Sequence, residues 1–142
     1  MNTEEIYYFL KRRWGDRFHG VFSCDELPAI PSLMVCNTDP KSKPGTHWIA
    51  IGADTYGRGE YFDSFGRPPM ETFRRYLDKH FRSWTFNRRQ LQSILSSFCG
   101  HYCCLYCTLS CRGVNLKVIV AEFTNDTSFN DVFVHSFVCR NK

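Results

Sequence analysis

The stretch that decides the fold is the run CGHYCCLYCTLSC at residues 99–111. Beyond Gly100 this run is apolar and contains no helix-breaking residue, which is typical of a buried helix. Cys99 stands at the first position, where the positive end of the helix macrodipole favours the thiolate form of a cysteine. The run therefore predicts a buried helix with a reactive cysteine at its N-terminus.

A first helix is predicted at the beginning of the chain. Thr3 is its expected N-cap, Glu4 follows in the first turn, and Gly15 is expected to end the helix. Its apolar face consists of Ile6, Phe9 and Leu10.

The other predicted elements surround the cysteine-rich helix. A second helix opens at the Pro-Pro pair 68–69, and its apolar stripe consists of Met70, Phe73, Leu77 and Phe81. Strands are predicted at residues 33–36, 46–51, 60–63, 116–122 and 132–138, with a loop or strand at 84–86. Turn residues between 52 and 59 indicate a hairpin. The order helix, strands, helix, helix, strands predicts an α+β fold, in a single domain over residues 1–142.

Length and composition exclude several classes of protein. The chain has 142 residues, 43% hydrophobic and 23% charged, which indicates a folded globular domain. No apolar run approaches the roughly 20 residues of a membrane span, and residues 1–5 lack the features of a signal peptide. We therefore expect neither a membrane protein nor a secreted precursor. In a reducing intracellular compartment the eight cysteines are expected to be thiols.

Four polar residues at the ends of predicted elements suggest cysteine-hydrolase chemistry. His47 starts a strand, Asp63 closes the next one, and Gln92 precedes Cys99 by seven positions. A histidine in reach of a thiolate serves as base and then as acid, and a carboxylate behind it fixes its tautomer. A glutamine amide near the cysteine can donate to an oxyanion. Each residue alone has an ordinary structural interpretation, and only their combination indicates catalysis.

A zinc-binding interaction module is an alternative from another class. Its ligands would come from the cluster of thiols and imidazole at Cys99, His101, Cys103, Cys104 and Cys107. Strong zinc signatures consist of two well-separated ligand pairs, whereas these residues fall in one segment. Cysteines at steps of four form a stripe along one helix, which favours thiols packed in a core.

The net charge of +4 permits contact with polyanions without requiring it. One segment, residues 74–89, is more strongly basic. Its cations are Arg74, Arg75, Lys79, Arg82, Arg88 and Arg89, against Asp78 alone. This basic segment is either a solvated helix face or a site for DNA or an acidic partner.

Four signatures resemble those of the adenovirus protease family, the adenains. They are GTHW at 45–48, YFDSFG at 61–66, Gln92 and FCGHYC at 98–103. The chain looks most like the adenain-like proteases of Maverick/Polinton elements and related viruses, and is more distantly similar to Ulp-type SUMO proteases. The resemblance covers residues 33–111. It implies an α+β papain-like fold, in which a central mixed sheet packs against the helix that bears the nucleophile.

The resemblance also implies roles for individual residues. Cys99 is the nucleophile, His47 the general base and acid, Asp63 the supporting carboxylate, and Gln92 the oxyanion donor. The implied activity is endoproteolysis of viral capsid precursors after small residues, typically Gly, in the virion and in the host nucleus or cytoplasm. A host-type deSUMOylating or deubiquitinating protease and a catalytically inactive homologue are the alternatives within this fold.

The resemblance assigns substrate contacts to Trp48 and Gly100. In Ulp-type enzymes a tryptophan beside the histidine covers a narrow channel for a Gly-Gly end. Such a cover leaves no room for a Cβ, so Gly is expected before the scissile bond. Regular strand alternation would turn Trp48 away from His47, so this interpretation requires an irregular strand start.

Adenovirus enzymes are activated by a viral peptide, disulfide-linked in some, and by DNA. No cysteine here clearly matches that disulfide, and DNA activation rests on the basic segment alone. We expect no metal or other cofactor, apart from activation by a peptide or by DNA. The expected partner is a protein substrate, and the protein is expected to be a monomer that does not bind membranes.

Overall fold

A five-stranded mixed sheet, with its strands in chain order, forms the centre of the computed structural model, which describes residues 1–142. Its strands are β1 (Gly20–Ser23), β2 (Met34–Asn37), β3 (Trp48–Ala53), β4 (Gly59–Phe62) and β5 (Trp84–Phe86). The two outer pairs, β1–β2 and β4–β5, are parallel, and the two inner pairs are antiparallel. The predicted α+β class with a mixed sheet is confirmed.

Five helices pack around this sheet. They are α1 (Thr3–Trp14), α2 (Glu71–His80), α3 (Cys99–Cys111), α4 (Leu116–Ala121) and α5 (Thr127–Arg140). A short 3-10 turn, Gly15–Arg17, follows α1. No helix has both the length and the apolar composition required to cross a membrane.

Residues on the sheet alternate between two hydrophobic cores. Val35, Ala50 and Phe62 face the larger core, where α1, α3, α4 and α5 pack. Their neighbours Ile49 and Tyr61 face a smaller core that α2 closes with Phe73 and Leu77. This alternation of period two places the nucleophile-bearing helix on one face of the sheet and the basic helix α2 on the other.

The cysteine-rich helix α3 is the centre of the larger core. It packs against β3, α1 and α5. From Cys99 to Thr108 every residue is buried. An apolar helix without a polar face is stable only where it is covered on all sides, as the sequence predicted.

Two predicted strands are wrong, because residues 116–122 and 132–138 lie in α4 and α5. The β-branched residues of these segments favour strands, but local caps favour helices. The side chain of Asn115 accepts a hydrogen bond from the Val118 N–H, and the side chain of Asp126 accepts one from the Phe129 N–H. In α5 the buried residues Asn130, Val134 and Val138 follow the helical spacing of four.

Two smaller differences concern the N-terminal region. The N-cap of α1 is Asn2 rather than Thr3, because Asn2 and Glu5 form a capping box at 2.9 Å in both directions. Strand β1 was not predicted. The hairpin of β3 and β4 and the end of α1 at Gly15 agree with the sequence prediction. Helix α2 also forms, with Phe73 and Leu77 buried as predicted, but Met70 is its exposed N-cap and Phe81 lies beyond its last turn.

Candidate active site

A cavity of about 640 Å³ brings three of the four predicted catalytic side chains together. His47, Gln92 and Cys99 line it, along with Trp48. It lies where the N-terminus of α3 meets the start of β3 and the segments that follow β4 and β5. Asp63, the fourth residue, lies behind His47 and is 3% exposed.

The hairpin register brings His47 and Asp63 to the same end of the sheet. Ala50 pairs with Phe62, so the residues before β3 lie opposite those after β4. The Nε2 atom of His47 is 2.7 Å from Oδ1 of Asp63. This bond leaves Nδ1 as the imidazole nitrogen that can face Cys99.

Asp63 is fixed by its backbone as well as by its side chain. The Asn87 side chain accepts a hydrogen bond from the Asp63 N–H at 3.0 Å and donates one to the Asp63 carbonyl at 2.6 Å. Oδ1 of Asp63 also accepts from the Phe65 N–H at 2.9 Å. These bonds hold the carboxylate in place against the imidazole.

An aromatic stack fixes the plane of the imidazole. The Phe65 ring lies on the His47 ring with centroids 4.8 Å apart and an angle of 30° between the planes. The Arg67 guanidinium lies over the Phe65 ring, 4.8 Å from its centroid. Stacking and the bond to Asp63 together restrict rotation of the His47 side chain.

The electrostatics of the pair favour an ionised cysteine. Burial alone would raise the pKa of Cys99, but hydrogen bonds from His47 and from the Trp48 and Gly100 N–H groups lower it below its ordinary value. Burial alone would lower the pKa of His47, but hydrogen bonds and charges of Asp63 and Cys99 raise it to about 9. Both shifts stabilise a thiolate–imidazolium pair.

The Gln92 side chain is fully buried and its amide is engaged at both ends. Its Oε1 accepts a hydrogen bond from the Ser64 hydroxyl at 2.6 Å. Its Nε2 donates to the carbonyl and the hydroxyl of Ser96, both at 3.1 Å. The donor group therefore lies at the edge of the cavity and is directed at the 93–98 loop.

Trp48 lines the cavity, and its ring lies beside Gly100. A Cβ on Gly100 would be 3.4 Å from Cδ1 of Trp48 and 3.1 Å from Cδ1 of Ile6. The indole N–H donates to the Met1 carbonyl at 3.1 Å. Because β3 begins at Trp48, His47 precedes the strand, and strand alternation does not separate the two side chains. Gly100 itself is covered by these neighbours and does not line the cavity.

Half of the cations in the basic segment are engaged within the protein. Arg74 and Arg75 both pair with Glu71, at 2.6 and 3.0 Å. Arg89 donates to two backbone carbonyls near the end of α4, at 2.8 and 2.6 Å. Lys79, Arg82 and Arg88 remain as exposed cations without an acidic partner.

All eight cysteines are free thiols, and no group of three His, Cys, Asp or Glu side chains is placed to hold a metal ion. Burial raises the pKa of Cys103 and Cys107 well above the ordinary value and that of Cys104 to about 12.

Sequence reasoning missed Ser64, Phe65 and Asn87. Ser64 and Phe65 stand beside Asp63 in the YFDSFG signature, so their position in the chain was a usable signal. Asn87 carries no such signal, because its role depends on β5 pairing with β4.

A comparison with solved structures identifies the fold. The crystal structure of selenomethionine-containing ASFV pS273R protease matches with a TM-score of 0.54 and 24% sequence identity. The match covers 72% of this chain and 43% of that one, so this chain spans less than half the length of that protease. No protein-family model matches the sequence, and neither does any curated protein. The chain therefore shares its fold with that protease.

Proposed function

We propose that this protein is a cysteine endopeptidase that acts through Cys99, His47 and Asp63. The observation that carries the proposal is the joint arrangement of these residues. The imidazole is bonded on Nε2 to a buried carboxylate, and it lines the same cavity as Cys99, whose pKa it lowers. The fold shared with the ASFV pS273R protease supports the same conclusion.

Acylation follows from this geometry. The Cys99 thiolate attacks the scissile carbonyl carbon, and the carbonyl π electrons move to oxygen as the C–S bond forms. The imidazolium of His47 then gives its proton to the leaving nitrogen as the C–N bond breaks, which releases an amine and leaves a thioester.

Deacylation reverses the proton transfer. Neutral His47 takes a proton from water, the hydroxide attacks the thioester, and the C–S bond breaks to release a carboxylic acid. The thiolate–imidazolium pair is restored. The hydrogen bond to Asp63 orients the imidazole and stabilises the imidazolium.

The test of this activity is selective alkylation. Iodoacetamide at near-neutral pH is expected to label Cys99 first, as identified by peptide mass mapping, and to abolish peptide hydrolysis in proportion to labelling. Cys139, the one exposed cysteine, serves as the internal comparison. Inactivation that follows the labelling of another cysteine would contradict the assignment of the nucleophile.

For the substrate, we propose proteins of the viral capsid-precursor type, cleaved after Gly. Trp48 supports this choice, because it lines the same cavity as His47 and Cys99 and its ring lies beside Gly100, so it narrows the space for the residue that precedes the scissile bond. A Ulp-like deSUMOylating or deubiquitinating activity remains the second candidate, since a Gly-Gly end fits the same restriction.

A peptide library varied at P1 and P2 tests this specificity. Cleavage is expected after Gly, and Trp48→Ala is expected to widen P1 acceptance to larger residues. Efficient cleavage after Leu, Phe or Lys by the unmodified protein would contradict the proposal. Parallel assays on Gly-Gly fusions of ubiquitin-like proteins distinguish the two substrate classes.

DNA is a further proposed partner of the basic segment. With Arg74 and Arg75 paired to Glu71, only Lys79, Arg82 and Arg88 are available, so we expect weak binding that falls steeply with salt. A gel-shift titration at low salt tests this, and no shift at micromolar protein would exclude DNA. Hydrolysis assays on the chain alone, with DNA added in a parallel arm, show whether an activator is required.

A further inference from the structure

Ser64 makes a buried hydrogen bond that holds the oxygen end of the Gln92 amide. Ser64 is 1% exposed, and its hydroxyl lies 2.6 Å from Oε1 of Gln92. The opposite end of the amide contacts the Ser96 carbonyl at 3.1 Å. A carbonyl can only accept, so this end must be the nitrogen, and the Ser64 hydroxyl must donate to the oxygen.

The backbone of Ser64 holds the same residue a second time. Its carbonyl accepts hydrogen bonds from the N–H groups of Leu91 and Gln92, at 2.8 and 3.0 Å. The main chain and the side chain of Gln92 are therefore both fixed against Ser64.

Ser64 also directly follows Asp63, whose carboxylate holds His47. Two consecutive residues thus position two functional groups. Asp63 provides the carboxylate behind the imidazole, and Ser64 holds the amide at the edge of the cavity. The two are separable, because the Ser64 hydroxyl contacts only the amide.

We propose that Ser64 is a positioning residue that holds the Gln92 amide in place beside the cavity, so that its nitrogen can donate to the oxyanion when one forms. This inference rests on the proposed endopeptidase function and adds a residue to it. Without the hydroxyl, the amide keeps its contacts to Ser96, but its buried oxygen loses the one hydrogen bond it accepts. An amide that shifts to find another donor for that oxygen no longer holds its nitrogen where the negative charge develops.

The decisive experiment compares two reactions of Cys99, one with an oxyanion and one without. Peptide hydrolysis passes through an oxyanion, whereas alkylation by iodoacetamide is a displacement at carbon and forms none. Ser64→Ala is expected to lower kcat by about 10- to 100-fold, somewhat less than the roughly 10²–10³-fold lost on removal of a donor. KM and the alkylation rate are expected to stay unchanged. In a Gln92→Ala background the same substitution is expected to add less than about twofold, because it acts through that amide.

Two further variants serve as controls. Thr108→Val removes another buried hydroxyl, one that has no partner, and is expected to leave kcat unchanged. Ser64→Thr keeps the donor and is expected to restore kcat to within a few-fold of the unmodified protein. If Ser64→Ala does not fold, as judged by circular dichroism, Ser64→Cys retains a weak donor of similar size and is tested for the same split at smaller magnitude.

Three outcomes would overturn the inference: an unchanged kcat, an equal loss of alkylation rate, or losses that multiply with those of Gln92→Ala. An equal loss of alkylation would mean that Ser64 acts on His47 instead. Failure of the unmodified protein to hydrolyse peptides would overturn the proposed function, whereas normal hydrolysis with an unaffected Ser64→Ala variant overturns this inference alone.

Discussion

Cys99 and Cys103 lie one turn apart on the same helix and differ in acid–base behaviour. Both are almost inaccessible, with 8% and 1% of their surface exposed, and burial raises the pKa of each thiol. Only Cys99 has donors that outweigh burial, and they come from His47, Trp48 and Gly100. For Cys103 the neighbouring thiols Cys107 and Cys99 raise the pKa further.

The comparison shows that position on the helix is not sufficient to make a reactive cysteine. The helix N-terminus provides one N–H group, from Gly100, while the start of β3 provides the imidazole and a second N–H. The thiolate is therefore a property of the contact between α3 and β3. A change that breaks that contact should raise the pKa of the Cys99 thiol, as burial raises that of Cys103.

The largest expected effect is the contrast between Cys99→Ala and Cys103→Ala. The first should lower kcat by about 10⁴-fold or more, because no other side chain can form the thioester. The second should keep activity within about twofold and cost at most 1–2 kcal/mol of stability for a small buried side chain. Hydrolysis rates and denaturant unfolding of both variants test this. A similar loss of activity in Cys103→Ala without unfolding would remove the distinction between the two residues.

An intermediate effect is expected when the carboxylate behind the imidazole is replaced. Burial lowers the pKa of His47, but the hydrogen bonds and charges of Asp63 and Cys99 raise it to about 9, so the imidazolium is present below this pH and is lost as pH rises through it. Asp63→Asn should therefore move the alkaline limb of kcat/KM for peptide hydrolysis to lower pH, because protonation of the leaving nitrogen requires the imidazolium. It should also lower kcat by about 10²–10⁴-fold, since the corresponding change in a serine protease costs about 10⁴.

The control for this prediction is Asp78→Asn, which changes a carboxylate bonded only to Trp84, on the exposed part of α2. Its pH profile should coincide with that of the unmodified protein. An alkaline limb that stays near pH 9 in Asp63→Asn would mean that Cys99 alone sets the pKa of His47.

The contrast between a local position on a helix and a contact between distant segments also explains which parts of the fold the sequence could predict. Helix α3 and the hairpin of β3 and β4 have local patterns, an apolar run and a turn-rich gap, and both were predicted. Helices α4 and α5 were misread, because their β-branched residues favour strands while single caps at Asn115 and Asp126 decide for helix. Strand β1 is short and pairs in parallel with a distant segment, so its own residues carry little signal.

The candidate site divides in the same way. His47, Asp63, Gln92 and Cys99 have residue types whose chemistry is recognisable in order along the chain. Ser64 and Asn87 act by hydrogen bonds to partners 28 and 24 positions away, which become visible only when the strands are placed. The signals for reactive groups are therefore local, and the signals for the residues that orient them are tertiary.

The smallest expected effect concerns a buried hydroxyl on the same helix. Thr108 lies nine positions after Cys99 and is fully buried, and its Oγ1 has no hydrogen-bond partner. A buried polar group without a partner costs about 1–3 kcal/mol, and an apolar group of the same shape removes this penalty. Valine and threonine have similar helix propensities, so the backbone contributes little to the difference. Thr108→Val should therefore raise the free energy of unfolding by about 1 kcal/mol, seen as a higher urea midpoint at an unchanged m-value.

The control is Ser64→Ala, which removes a buried hydroxyl that has a partner and should lower the midpoint instead. If Thr108→Val also lowers the midpoint, the Thr108 hydroxyl has a partner in solution, and its burial is not a cost to the folded state.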